Sequence, residues 1–289
     1  MVNMKFADGR FRLHLVYVYV LLGVCALLSP ACEKKPPSGP AIGVPTFTRQ
    51  FSAAGKEYHY TVAGRDPAQG GATTIPTVLV PVSLVFDAPA DKAGKNAEIS
   101  AADDVPKVVQ SPVFQKHAFA TGTTQYGDAI QRAQFYKEAA AKDWHTLLGQ
   151  PRVASPVQIT IPAANGYLLT SKKTGHSLAI VDLDYVEKEL FKGLAKTQAK
   201  PDELMIALTK NTEFFELSDA TVCCTWGAHG VQEDAASKPL QPFVLSTYLD
   251  PGVVPGYSDV QPLTQQLAAW MNDPLHGYKE NTFPAWQRP

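Results

Sequence analysis

The chain has 289 residues, of which 45% are hydrophobic and 18% are charged. This hydrophobic content supports a buried core and excludes an intrinsically disordered chain, and the 20 Gly and 23 Pro follow no fibrous repeat. The 26 basic and 27 acidic side chains give a formal net charge of -1. Because no excess of positive charge is available to neutralise phosphates, we expect no nucleic-acid partner.

The N-terminus has the pattern of a bacterial export signal. Three basic residues precede the apolar run 13–28, and the small residues Ser29 and Ala31 follow it. A membrane-spanning helix needs about 20 apolar residues, so this shorter run favours a cleaved signal peptide over residues 1–31. We therefore expect an exported protein, on the periplasmic side of a membrane or at the cell surface, with secretion as the alternative.

Cys32 directly follows Ala31, at the position where a bacterial lipoprotein carries its lipidated cysteine. Ser29, however, stands where such a signal normally has Leu, so simple cleavage and an uncleaved anchor remain open. Residues 32–50 are predicted to be a tether and residues 51–289 a single domain. The predicted partner is the bacterial membrane, through a lipid anchor or the signal segment, and the ligand of the domain stays open.

Two further cysteines, Cys223 and Cys224, are adjacent in the sequence. Disulfides persist in the oxidising compartments that exported proteins reach. Three states of this pair remain open: a vicinal disulfide, a reduced and buried pair, and a reactive or metal-binding pair.

Strands are predicted where short apolar or alternating runs lie between turn residues. These segments are residues 56–62, 77–86, 157–161, 177–183, 204–209 and 243–249. Pro81 cannot donate a ladder hydrogen bond, so it predicts an edge strand or a bulge. Residues 87–113 are predicted to be a surface excursion with little regular structure.

Helices are predicted over residues 128–149, with Asp128 as the N-cap, and over residues 185–192. Alternation of strands with helices predicts an α+β fold, similar to an α/β sandwich, with a mixed sheet and packed helices. The chain has no glycine-rich phosphate loop and no GxSxG motif, so nucleotide-dependent and α/β-hydrolase chemistry have no support.

The last predicted helix starts with Asp259 as N-cap and Pro262 in its first turn, and it ends at Asp273 and Pro274. One face of this helix is apolar and is predicted to lie on the core. The apolar residues of that face are Leu263, Leu267, Trp270 and Met271.

The segment from Thr264 to Pro274, followed by Asn281 and the Pro-Ala-Trp of residues 284–286, resembles a family of secreted bacterial zincin-like proteins. In that family the helix carries a His-Glu metal motif, with a second ligand one turn later. Weaker similarity extends to residues 125–128 and to residues 222–230. The resemblance therefore implies a zincin-like domain.

The resemblance places the first metal ligand at Gln265, the general base at Gln266 and the second ligand at Ala269. A Gln amide is a poor zinc ligand and exchanges no proton near neutral pH, and Ala offers no ligand atom. These former metal-site positions are expected to line one cleft, because residues four apart share a helix face. No catalytic residue is expected among them.

The function expected from the sequence is therefore binding or structural, in an exported, lipid-anchored protein with a catalytically silent zincin-like domain and no cofactor. The alternative is an active metal-dependent hydrolase that holds zinc with His229, His276 and Asp273. The sequence favours a helix-ending role for Asp273 and a loop position for His276. The glycines around His229 permit close approach of another backbone.

Overall fold

A computed structural model describes residues 42–89, 96–120, 122–139, 143–193, 197–234 and 237–278. All of these residues belong to one unit, Ser38–Pro289. The predicted signal peptide, Cys32 and most of the tether lie outside the described residues, as do Asn281 and residues 284–286 of the resemblance. None of the helices in the described ranges has the length and apolar character needed to cross a membrane.

The strands, in chain order, are β1 (Thr46–Ala53), β2 (Lys56–Ala63), β3 (Gly71–Ile75), β4 (Thr77–Pro89), β5 (Asn96–Ser100), β6 (His117–Phe119), β7 (Gly122–Thr124), β8 (Trp144–Leu148), β9 (Arg152–Val153), β10 (Val157–Ile161), β11 (Gly166–Thr170), β12 (Ser177–Asp182), β13 (Leu204–Lys210), β14 (Thr212–Phe215), β15 (Cys223–Thr225), β16 (Gly227–Asp234), β17 (Ser237–Val254) and β18 (Tyr257–Asp259). The α-helices are α1 (Val105–Val109), α2 (Tyr126–Gln134), α3 (Tyr136–Ala139), α4 (Leu183–Lys192) and α5 (Gln261–Asn272). Within the described ranges, two short 3-10 helices cover Pro67–Gln69 and Ala102–Asp104.

The main sheet has the strand order β10-β4-β13-β17-β16. Its first four strands are parallel, and β16 runs antiparallel to β17 at the edge. The strands β5, β9 and β18 pair with its members outside this path. A second sheet has the order β11-β12-β14-β15, and the described residues also form three separate strand pairs, β1-β2, β3-β8 and β6-β7. The predicted α+β class with a mixed sheet is confirmed.

Helices cover both faces of the main sheet. Successive residues of a central strand point to opposite faces, so the residues on both sides of these strands are apolar. On one face, Ile206 and Val244 share a buried cluster with Trp270 of α5. On the other face, Met205 and Leu245 share a second buried cluster with residues of α4. The four apolar residues predicted to form the core face of α5 are all buried.

The prediction of a single helix over residues 128–149 is wrong. Helix α2 ends at Gln134, and residues 144–148 form strand β8, parallel to β3. Buried and half-buried residues alternate along β8, with Trp144 fully buried. Its apolar residues fit both a helical and an extended spacing, and pairing with β3 selects the extended form.

Three other features also differ from the predictions. The tether is shorter than predicted, because residues 46–50 belong to β1. Pro81 lies in a central strand, between the residues of β4 that pair with β9 and those that pair with β10. Residues 87–113 include β5 and α1, with Val108 fully buried, instead of an irregular excursion.

Candidate metal centre

The pairing register of β16 with β17 determines the direction of the His229 side chain. His229 lies opposite Val244 in the antiparallel pair β16-β17, and Val244 belongs to the face covered by α5. Because paired residues share a face of the sheet, the imidazole is directed to α5. There Nδ1–H of His229 donates to Oε1 of Gln266 over 3.0 Å. This bond leaves Nε2 of the neutral imidazole with a free electron pair.

Asp273 and His276 approach the same point from the end of α5. Asp273 is the C-cap residue, and its backbone N–H bonds to the carbonyls of Ala269 and Trp270. Its side chain is 4% exposed, whereas that of His276 is 59% exposed. Nδ1 of His276 lies 3.1 Å from Oδ2 of Asp273. The ring centroids of His276 and His229 are 5.0 Å apart.

One ligand atom from each of His229, Asp273 and His276 lies within 4.8 Å of the other two. On a tetrahedral zinc ion with bonds of about 2.0–2.1 Å, ligand atoms are about 3.4 Å apart. Any two of the three ligand atoms therefore need to come closer by at most about 1.4 Å to share one ion. Two imidazoles and a carboxylate are a common zinc ligand set, and three protein ligands leave a fourth position for another molecule.

The two histidines have opposite electrostatic surroundings. Burial is the main cause that lowers the pKa of His229, and the neighbouring His276 lowers it further. The hydrogen bond to Asp273 is the main cause that raises the pKa of His276. His229 is therefore held in the neutral form that a metal requires, whereas a metal at His276 must compete with a proton.

Gly230 allows the turn after α5, residues 274–277 (the His276 loop), to approach β16 closely. Its φ is +150°, and a Cβ atom there would lie 2.4 Å from the carbonyl oxygen of His276. Any other residue would push this loop away from the strand. The expectation of a close backbone approach beside His229 is met at this glycine.

The three positions that the resemblance assigns to the former metal site all lie on α5 and differ in exposure. Gln265 is exposed, while Gln266 and Ala269 are partly buried. Of the three, Gln266 is hydrogen-bonded to His229. The helix also begins after Val260 as N-cap and not after Asp259, whose φ of 60° is left-handed.

Two acidic groups have contacts that the sequence does not predict. Asp128 is fully buried and, contrary to the prediction, is not the N-cap of α2. Its carboxylate accepts hydrogen bonds from Thr124 Oγ1 and from the backbone N–H of Thr146. It also pairs with Nδ1 of His145 at 2.7 Å. The carboxylate of Glu213 lies close to the Cys223 and Cys224 sulfurs. No local pattern indicates either contact, since both join different elements.

Cys223 and Cys224 are joined by a disulfide in the structure, and both residues are exposed. They lie on β15, the end strand of the second sheet. No family model, curated protein or solved structure matches the chain.

Proposed function

We propose that this chain is an exported protein whose domain binds a divalent transition-metal ion, with zinc as the best fit, through His229, Asp273 and His276. The observation that carries the proposal is the convergence of these three side chains from strand β16 and the end of α5. The N-terminal export pattern supports the location, and Cys32 is the proposed site of a lipid anchor.

We further propose that the bound ion serves in binding and not in hydrolysis. Hydrolysis at zinc needs a base that takes a proton from the attacking water. The residue at the position of the zincin base is Gln266, whose amide cannot take that proton and is already bonded to His229. Asp273 is committed to the metal as a ligand. The fourth position would then accept an anionic or neutral donor atom of a bound partner.

The alternative function is a metal-dependent hydrolase, and one observation favours it. Its three proposed ligands are the same residues that converge in space. A water molecule on the fourth position of the zinc ion would be the nucleophile, with its pKa lowered by the metal. Both functions use the same metal site. They differ in whether the fourth position holds a donor atom of a bound partner or a water molecule that attacks a substrate.

Zinc content and calorimetric zinc titration of the full purified chain, with the Cys223–Cys224 disulfide kept oxidised, test the proposal. We expect about one zinc ion per chain, and loss of this binding in the variant His276→Ala. His276 is exposed, so its replacement should leave the fold intact. The control His117→Ala removes another exposed histidine and should bind zinc like the wild type. Equal zinc binding by the His276→Ala variant would contradict the proposed site.

Casein and peptide libraries, incubated with the zinc-loaded chain, separate the two functions. We expect no cleavage. Cleavage that is lost both with a chelator and in the His276→Ala variant would establish the hydrolase instead.

A further inference from the structure

A second group of side chains that could hold a metal lies on the second sheet. None of its residues belongs to the site formed by His229, Asp273 and His276, here called the His229 centre. We propose that Cys223 and Cys224, when reduced, bind one thiophilic divalent cation together with Glu213. The disulfide form of the pair would not bind it, so the site would be controlled by the redox state of the two cysteines.

The placement of the three residues follows from the pairing of β14 with β15. These strands are antiparallel, with Phe215 opposite Cys223 and Phe214 opposite Thr225, and the register shifts between the two pairs. Glu213 is the neighbour of Phe214 on β14. The carboxylate oxygen and both sulfur atoms lie within 4.8 Å of one another.

The site is open to solvent on the side of the cysteines. β15 is the last strand in the order β11-β12-β14-β15, and Cys223 and Cys224 are both exposed. Glu213 is partly buried beside them. A reductant and a cation can therefore reach the sulfurs, while the carboxylate is held in place by the sheet.

Reduction changes the chemistry of the two sulfur atoms. An external dithiol donates two electrons and two protons to the Cys223–Cys224 disulfide, which becomes two thiols while the dithiol becomes a disulfide. Binding of a divalent cation then releases the two thiol protons and gives two thiolate–metal bonds. The uncharged disulfide is a much poorer ligand, because the thiolate is the form that binds metals.

The ligand set selects the class of cation. Thiolates favour soft and borderline ions such as zinc and cadmium over magnesium and calcium. Two sulfurs on a tetrahedral zinc ion are about 3.8 Å apart, a separation that neighbouring thiolates reach once their bond is broken. The Glu213 carboxylate supplies a third ligand and a further negative charge.

Cadmium is the probe for the experiment, because cadmium bound to thiolates absorbs in the ultraviolet and cadmium bound to nitrogen and oxygen does not. The full chain with Cys25→Ser and Cys32→Ser leaves this pair as the only thiols. The protein is reduced with dithiothreitol, freed from it under nitrogen and titrated with cadmium. We expect a charge-transfer band that saturates at about one cadmium per chain in reduced protein and is absent from oxidised protein.

Two variants test the ligands, and one separates this site from the His229 centre. Cys223→Ser should abolish the band, and Glu213→Gln should weaken cadmium binding about tenfold or more. His276→Ala should leave the band unchanged, so failure of the zinc proposal would not affect this result. If Cys223→Ser does not fold, the comparison of reduced with oxidised protein still decides. No band in protein with two titratable thiols, or saturation at one cadmium per two chains, would overturn the proposal.

Discussion

At the scale of single residues, Gly230 controls how closely the His276 loop lies against β16. The variant Gly230→Ala places a methyl group 2.4 Å from the His276 carbonyl oxygen and forces an alanine to adopt a φ of +150°. We expect zinc affinity to fall about tenfold or more, because small displacements of a ligand disturb the whole coordination geometry. Calorimetric titration measures this change.

The matched control is Gly252→Ala, at a glycine with a φ of +87° and no atom within 4 Å of the added methyl group. It also forces an alanine to adopt a positive φ, but it should bind zinc like the wild type. Equal affinities of the Gly230→Ala variant and this control would show that the His276 loop does not depend on the glycine.

Gln266 holds His229 through a single hydrogen bond of 3.0 Å. The variant Gln266→Glu replaces the amide oxygen with a carboxylate oxygen at the same place. A carboxylate that accepts from Nδ1–H makes a metal-binding histidine more basic, so we expect zinc affinity to rise about tenfold. The same titration compares it with Gln265→Glu, which adds the charge at the exposed neighbouring position and should change little. An equal gain in both variants would indicate a general charge effect.

At the scale of elements, Gln131 ties helix α2 to two other elements. Its buried side-chain amide donates to the carbonyl of Ala63 at the end of β2 and to the carbonyl of Met271 in α5, both at 3.0 Å. In the variant Gln131→Leu both carbonyls lose this donor. We expect the free energy of unfolding to fall by about 2 kcal/mol, although the new side chain is apolar. Urea unfolding of the full chain measures it.

The control Gln158→Leu makes the same replacement at an exposed residue of β10. It should change stability by less than about 0.5 kcal/mol. A wild-type stability for Gln131→Leu would mean that the two carbonyls need no donor from this side chain.

The elements also show where local patterns are informative. The segments 56–62, 157–161 and 204–209 are strands as predicted, because their alternation or continuous apolar run fits an extended chain and little else. Residues 144–148 fit two periods, and their pairing partner β3 lies about 70 residues earlier in the chain. A local pattern cannot include such a partner.

At the scale of the whole molecule, Glu187 on α4 makes stability depend on pH. Burial raises the pKa of this carboxyl to about 7, and the charge of Asp184 adds to the rise. Lys188 and Lys192 of the same helix and Gln232 of β16 line the surrounding cavity. The folded protein therefore holds a proton that the unfolded chain has already lost between about pH 4.5 and 7.

The wild type should therefore lose stability as the pH rises through this window. The variant Glu187→Gln cannot ionise, so we expect it to be more stable than the wild type by about 1–3 kcal/mol at pH 8 and nearly equal to it at pH 4. Urea unfolding at a series of pH values measures the difference. Glu57→Gln, at an exposed residue of β2, is the control and should not show this gain. A constant difference across the series would exclude Glu187 as its origin.

The sequence by itself determined the fold class, most strands of the main sheet and the core face of α5, because these depend on the spacing of apolar residues within one element. It also supplied the chemically suitable candidates His229, Asp273 and His276. Only the tertiary structure decided that these three meet, since His229 is aimed by its register with Val244 and His276 by the turn after α5. The contacts of Gln266, Glu213 and Asp128 were decided in the same way, because each joins elements whose relative position no local pattern encodes.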